Sequence, residues 1–424
     1  MTTTTTNIEQ QELPAGWKWV KLQEIASNDK HAIADGPFGS SLKVKDYVDS
    51  GVPVLQGQNI TGNRFNLHGI RFITEDKSDE LSRSWVRTGD ILMVKIGSIG
   101  YSAIVDDLQG YSHAVIPANL AKITLNEELV CRDYLAFWLT SDELINYLLG
   151  IATQTAQPAL SLKTIRPMPV PLPPLGEQKR IAGILQEQLA AVEEAKKAAQ
   201  ERLEAVKALP AAYLREVFPS SEDELPEGWK WVKLGDVCEI ARGGSPRPIS
   251  GYLTNSENGV NWVKIADATR SNKYIFETEE KIIEAGVRYS RLVQSGDFLL
   301  SNSMSFGRPY IMRTSGCIHD GWLVLSSYES SFNQDFLYYL LGSSSIYSEF
   351  KKLSAGSTVK NLNIQIVSRV SVPLLPLEEQ KRISSELDDK IAGVKLAEAS
   401  IQQELDTIEA MPAALLRKAF SGGL

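Results

Sequence analysis

Leu13-Pro-Ala-Gly-Trp-Lys-Trp-Val-Lys-Leu22 returns, with one change in ten positions, as Leu225-Pro-Glu-Gly-Trp-Lys-Trp-Val-Lys-Leu234. A second stretch, Val170-Pro-Leu-Pro-Pro-Leu-Gly-Glu-Gln-Lys-Arg180, returns as Val372-Pro-Leu-Leu-Pro-Leu-Glu-Glu-Gln-Lys-Arg382. The copies also close alike, at Pro210-Ala-Ala-Tyr-Leu-Arg215 with Phe218 and at Pro412-Ala-Ala-Leu-Leu-Arg417 with Phe420. A chain of 424 residues is too long for one ordinary core, and this self-similarity says where it divides. Between the shared ends only echoes remain, such as Gly89-Asp-Ile-Leu92 against Gly296-Asp-Phe-Leu299. Duplication with drift explains the repeat but not this unevenness. One scaffold carrying two diversified surfaces explains both.

The second shared stretch opens a long helix in each copy. From Glu177 to Leu209 the only glycine is Gly183, no proline intervenes, and good helix formers dominate. Apolar residues recur at Ile181, Leu185, Leu189, Val192, Ala195, Ala199, Leu203 and Val206, a single stripe close to a coiled-coil seam. The same stripe returns 202 residues later at Ile383, Leu387, Ile391, Val394, Ala397, Ile401, Leu405 and Ile408. Stripes in identical phase are expected to pack on each other as an antiparallel pair, each helix of about 33 residues being roughly 50 Å long. Two separate hairpins, each on its own domain, are the plainer arrangement. The proline-rich stretches before the helices, Pro167 to Pro174 and Pro373 to Pro376, are expected to stop the preceding element and stiffen the entry.

The globular parts read as mixed α+β. Strand-like runs lie at Val52–Leu55, Asp90–Lys95, Ala114–Ile116, Trp262–Ile265, Asp297–Leu300 and Trp322–Leu325. One helix is expected around Cys131 to Leu149 and one around Gln334 to Lys351. Trp17 and Trp229 are expected in the core rather than stacked on a base, because identical residues cannot give different readouts. The division that follows is a disordered tail (1–12), a first globular domain (13–166), a first helical region (167–219), a linker (220–224), a second globular domain (225–369) and a second helical region (370–424).

Loops supply the candidate contacts to a nucleic acid. In the first copy these are Ser40, Ser41, Lys43, Lys45, Gln56, Gln58, Asn59, Arg64, Lys95 and Ser98. In the second they are Arg242, Gly243, Gly244, Ser245, Arg247, Lys264, Asn302, Ser303 and Arg308. Arginine and lysine suit guanine edges, asparagine and glutamine suit adenine edges, and glycine lets a backbone approach a phosphate.

Chemistry is harder to place. Three cysteines and four histidines are scattered and give neither a disulfide framework nor a metal-ligand spacing, so no metal is expected. No Gly-Lys pair exists for a phosphate-cradling loop. Leu172-Pro-Pro-Leu175 lacks the polar first residue that an amino-methyltransferase tetrapeptide needs, and the acidic-x-Lys triplets Glu75-Asp-Lys77 and Asp388-Asp-Lys390 read as solvated charge. No apolar run is long enough for a membrane span, and the amino-terminal stretch lacks the apolar centre of a signal peptide, so a cytoplasmic protein is expected. The net charge of −8 argues against a simple DNA-coating protein and suggests that partners share the phosphate contact.

The duplicated Leu-Pro-x-Gly-Trp start, the Pro-Leu-x-x-Leu-x-Glu-Gln-Lys-Arg-Ile helix entry and the Gly-Asp-hydrophobic-Leu pattern resemble those of the specificity subunits of type I restriction-modification enzymes. Gly243-Gly-Ser-Pro246 resembles the Gly-Gly-Thr-Pro loop of that family, whereas the first copy has Asp35-Gly-Pro-Phe-Gly39 there. The resemblance implies two pseudo-symmetric target recognition domains joined by two long antiparallel coiled-coil helices. It implies a non-catalytic chain whose domains each read half of a split double-stranded DNA site while the helices fix the gap. It further implies two modification subunits that use S-adenosylmethionine to methylate adenine, and two restriction subunits, where present, that use ATP and Mg²⁺. No cofactor is expected on this chain itself. A scaffold that pairs two copies of a partner without reading DNA fits the repeat equally well; loops rich in Arg, Lys, Gln and Asn argue against it.

Overall fold

The computed structural model describes residues 8–37, 41–152, 159–220, 223–302, 306–354 and 361–424. They form two compact units, and the boundary between them falls inside the long helices. Unit 1 holds residues up to Gln200 together with Gln403–Leu424, and unit 2 holds Glu201–Gln402.

Unit 1 contains an antiparallel four-stranded sheet in the order Ser102–Ile104, Ile91–Val94, Leu120–Ile123, Ile33–Asp35. A mixed five-stranded sheet runs Tyr47–Val48, Arg71–Ile73, Val52–Val54, Ala114–Val115, Trp85–Val86, with Val115 paired in parallel to Val54. Unit 2 repeats both. Its first sheet runs Glu239–Arg242, Trp322–Ser326, Phe298–Ser301, Pro309–Met312 and adds Tyr274–Ile275 at the far edge. Its second ends at the edge strand Arg291–Val293 beside Gly316–Ile318. Central strands such as Ile91–Val94 and Phe298–Ser301 are buried throughout. That explains their near-continuous apolar sequence.

The Leu-Pro-x-Gly-Trp segment runs into a strand, Lys18–Lys21, which pairs antiparallel with Pro169–Leu172; Lys230–Lys233 pairs with Ser371–Leu374 in the same register. The proline-rich stretch is therefore a ribbon strand and not only a stop. Proline cannot donate, but its carbonyls still accept: Tyr134 Oη donates to Pro171 O at 2.6 Å and Trp138 Nε1 to Pro169 O at 2.9 Å.

The long helices span Leu175–Val217 and Leu377–Phe420, 43 and 44 residues, rather than about 33. Each continues through a proline, Pro210 or Pro412, past the span from Glu177 to Leu209 expected for the first. A mid-helix proline costs roughly 3 kcal/mol. The turns beyond offset this by burial. In unit 1, Leu416, Ala419 and Phe420 join the core that holds Ile181, Ala182 and Leu185. In unit 2, Phe218 with Tyr213, Leu214 and Val217 joins the core that holds Ile383 and Leu387. The beginning of each helix thus meets the end of the other, and the pair is antiparallel. Lys196 and Glu409 add an ion pair at 2.8 Å. Ile181, Leu185, Val192, Leu203, Ile383, Leu387, Val394, Leu405 and Ile408 are buried, and Leu189, Val206 and Ile391 are half-buried. Ala195 departs from the expected stripe and is exposed.

Two further elements differ from what the sequence predicts. Residues 8–10 of the supposed tail form a 3-10 turn, and Ile8 is buried because it fits the unit 1 core. The single helices expected near 131–149 and 334–351 are each two, because Ser141 and Ser343 cap a second helix at its first turn. Trp17 and Trp229 pack against the unit 1 and unit 2 cores as expected, each half-buried: Trp17 lies edge-on to Tyr134, and Trp229 Nε1 donates to Glu379 at 3.4 Å.

Candidate nucleic-acid interface

The shared Glu-Gln-Lys-Arg motif places a glutamine where each globular part meets its helix. Gln178 is fully buried: its Oε1 accepts from Cys131 N at 2.8 Å, and its Nε2 donates to Pro173 O at 2.8 Å and Leu129 O at 3.2 Å. Gln380 makes the same three bonds, to Asn333 N, Leu375 O and Ser331 O. Every polar atom of a buried amide needs such partners, so the identity of this motif in both copies has a structural cause. The loops in front of these anchors differ.

In unit 2 Ser245–Arg247 and His319 form one wall of an open cavity of about 840 Å³, which Trp262, Lys264 and Arg270 also line. Three of the expected contact residues, Ser245, Arg247 and Lys264, are brought together here. Asp320 organises the wall. Its carboxylate accepts from Ser245 Oγ at 2.7 Å and from Arg247 at 3.3 Å, and its backbone oxygen accepts from Arg242 Nε and Asn302 Nδ2. The Ser245 hydroxyl foremost holds the Asp320 carboxyl below the usual range. Burial pushes the His319 imidazole below its ordinary value, and its Nδ1 accepts from Gly321 N. Lys264 pairs with Glu280 at 2.8 Å and Arg270 with Asp267 at 2.7 Å. The cations of this cavity are thus matched by carboxylates, an arrangement suited to base edges, which carry both donors and acceptors, rather than to bare phosphate.

Gly243 and Gly244 serve the protein rather than an incoming phosphate. A Cβ on Gly243 would sit 2.1 Å from His319 O, and one on Gly244 would sit 2.7 Å from Tyr289 O. Asn302 is also turned inward, nearly fully buried on Asp320 O. Arg308 is exposed, with its guanidinium 5.4 Å from the Tyr310 ring centre. Ser303 lies outside the described residues.

In unit 1, Ser41, Lys43, Lys45, Gln58 and Ser98 are exposed and Gln56 is half-buried. Ser40 lies outside the described residues. Arg64 is exposed and pairs with Glu193 of the long helix at 3.5 Å. Two residues are spent inside the protein. Asn59 is fully buried, bonding Gln56 N at 2.7 Å and His68 O at 3.0 Å. Lys95, 4% exposed, pairs with Asp35 at 2.7 Å. A lysine so placed is held by its carboxylate and does not reach a phosphate. Sequence reading missed the roles of Asp35 and Asp320, since a lone acid carries no periodic signal, and the repeated Glu-Gln-Lys-Arg stretch marks Gln178 and Gln380 without revealing their partners.

Among the described residues no group of three or more His, Cys, Asp or Glu side chains could hold a metal ion. Nor is any described helix long and apolar enough to cross a membrane.

Residues 14–204 and 226–407 each match the model of the type I restriction modification DNA specificity domain. The MjaX type I restriction enzyme specificity subunit of Methanocaldococcus jannaschii is 25% identical over 394 residues, 89% of this chain and 87% of the relative. The MjaVIII specificity subunit of the same organism is 28% identical over 312 residues, 67% and 69% of the two chains. The fold is similar to the crystal structure of the HsdS subunit from Thermoanaerobacter tengcongensis, with a TM-score of 0.69 at 23% identity over 98% of this chain and 99% of that one. It is also similar to a chain of a type I R-M system, with a TM-score of 0.73 at 24% identity over 98% and 100%. Two matched domains covering most of the chain show that it belongs to the type I restriction-modification DNA specificity family, whose members are the non-catalytic specificity subunits of these enzymes.

Proposed function

We propose that each unit reads one half of an asymmetric, bipartite double-stranded DNA site and that the antiparallel helices set the gap between the halves. The observation that carries this reading is the contrast between anchor and loop. Gln178 and Gln380 make the same three bonds in both units, while the loop at the matching place differs, with buried Asp35 before Gly36 in one unit and exposed Arg242 before Gly243 in the other. A shared frame suits a partner that docks twice, and different loops suit two different half-sites.

That partner is a modification subunit, two copies of which dock on the helices and methylate adenine N6 with S-adenosylmethionine, the target base flipped out of the stack. ATP and Mg²⁺ belong to restriction subunits where these join. The complex acts in the cytoplasm. The helices support a ruler role because 43 residues at about 1.5 Å each exceed the ~34–36 Å of one DNA turn. Replacing residues 13–166 with the equivalent domain of another family member tests the reading. One half of the recognised site should change and the other should stay; a change in both halves would contradict it.

A further inference from the structure

We propose that the turn preceding the edge strand of each mixed sheet carries the base-reading side chain of that unit: Arg83 in unit 1 and Tyr289 in unit 2. This deepens the DNA-reading function proposed above and rests on it.

The two positions are equivalent by register. Trp85 pairs with Val115, which pairs in parallel with Val54; Arg291 pairs with Ile318, which pairs in parallel with Val263. One residue further on, Ile116 O and His319 O each lie 2.1 Å from where a Cβ of Gly36 or Gly243 would be. Counting back from the edge strands, Ser84 matches Ser290, and both hydroxyls donate to a backbone carbonyl, Asp35 O at 3.0 Å and Ile318 O at 2.8 Å. Arg83 therefore stands where Tyr289 stands. One backbone frame presents two chemistries at one place, as a specificity position must.

Each side chain is held by its surroundings and still reaches solvent. The Asp35 carboxylate, 9% exposed, accepts from Lys95 at 2.7 Å on one oxygen and from Arg83 Nη2 at 3.0 Å on the other. The Arg83 side chain is itself 55% exposed. A buried ion pair stabilises little by itself, since desolvation offsets its attraction. Here it holds one nitrogen of the guanidinium and leaves a side chain that is more than half exposed with its other donors to spend. Guanine offers N7 and O6 as a matching pair of acceptors. In unit 2, Tyr289 is 46% exposed, packs edge-on to Tyr252 at 5.9 Å, and lies 4.6 Å from the Arg288 guanidinium. Arg291, two residues on, donates its Nε to Arg242 O, and Arg242 Nε donates to Asp320 O; among the described residues neither these two arginines nor Arg288 has a carboxylate ion-pair partner. In a chain of net charge −8, an arginine against one exposed phenol, with two more on the neighbouring strands, suits phosphates flanking a contacted base.

The test uses the specificity chain assembled with its modification subunits and competition binding between cognate DNA and every single base-pair change in it. For Arg83→Ala, discrimination at one G·C pair of the unit 1 half-site should fall roughly 10–100-fold, with the other positions and the salt slope unchanged. Arg83→Lys should lose the same discrimination, because an ammonium cannot span two acceptors as a fork does. Asp35→Asn should act at that same pair, and its effect on that discrimination should vanish in the Arg83→Ala background, while the stability cost of leaving Lys95 unpaired should persist there. Tyr289→Ala should leave this half-site alone and relax one position of the other. Thermal unfolding of each variant separates these effects from loss of the fold. Unchanged discrimination in Arg83→Ala overturns the assignment. So does uniform weakening with a shallower salt slope, which would make Arg83 a phosphate contact. A wild-type complex that selects no sequence overturns the DNA reading itself, and the assignment with it.

Discussion

Gln178 accepts the backbone N–H of Cys131 at 2.8 Å across 47 residues, and so ties the start of the long helix to the cap of the first helix behind the unit 1 sheet. Gln380 ties itself to Asn333, the cap of the matching helix, at the same distance. The globular part and the helix start are therefore tied together within each unit, through a side chain with no exposed surface.

Replacing either glutamine by leucine keeps much of the volume and strands one backbone N–H and two carbonyls. Leaving a buried group unsatisfied costs about 1–3 kcal/mol, so each variant should lose roughly 3 kcal/mol of stability. Thermal or urea unfolding reads this. Losses of similar size from Gln178→Leu and Gln380→Leu are expected, since the bonds are the same.

The glycine loops should tolerate no side chain. A Cβ at Gly36 or Gly243 would lie 2.1 Å from a backbone oxygen, and backbone in a packed interior cannot yield that much. Gly243→Ala should displace the Asp320 wall and reduce DNA affinity, whereas Gly251→Ala, with open space around its Cβ, should do neither. Binding isotherms alongside unfolding curves check this.

Acidification should weaken both units before ordinary carboxylates titrate. Burial lowers the imidazoles of His113 and His319 from their ordinary value near 6.5. Below that value the unfolded chain binds protons that the folded chain resists, so stability rises with pH in that window. The contribution is fully present above about pH 6.5 and is lost as pH falls through the folded values. Protonation of His319 also removes the Nδ1 acceptor used by Gly321 N. Unfolding midpoints measured between pH 8 and pH 5 should fall with acid. His113→Gln with His319→Asn should flatten the dependence.

Much of the frame was legible because it is periodic or repeated. The stripe from Ile181 to Val206 declares a helix by its spacing alone, and its repeat at Ile383 declares a partner in phase. What stayed hidden depends on residues far apart in sequence. Nothing near Lys95 shows that Asp35, 60 residues away, neutralises it. The passage of the helices through Pro210 and Pro412 is likewise a tertiary effect, set by the burial of Phe218 and Phe420. Among the candidate contacts, residue type suggested Ser245, Arg247 and Lys264, which one cavity unites. It also suggested Asn59 and Asn302, whose amides the protein uses itself. Arg83 and Tyr289 stand in no recognisable motif, and only strand register brings them to matching places.

The central claim is that two different units, held by one helix pair, select one split sequence. Co-expressing the chain with its modification subunits in a host lacking adenine methylation, and mapping methylated adenines across the genome, tests it most directly. A single asymmetric motif of two specified halves separated by a fixed number of unspecified base pairs is expected. A continuous motif, a palindrome, a variable gap or an unmethylated genome would contradict it.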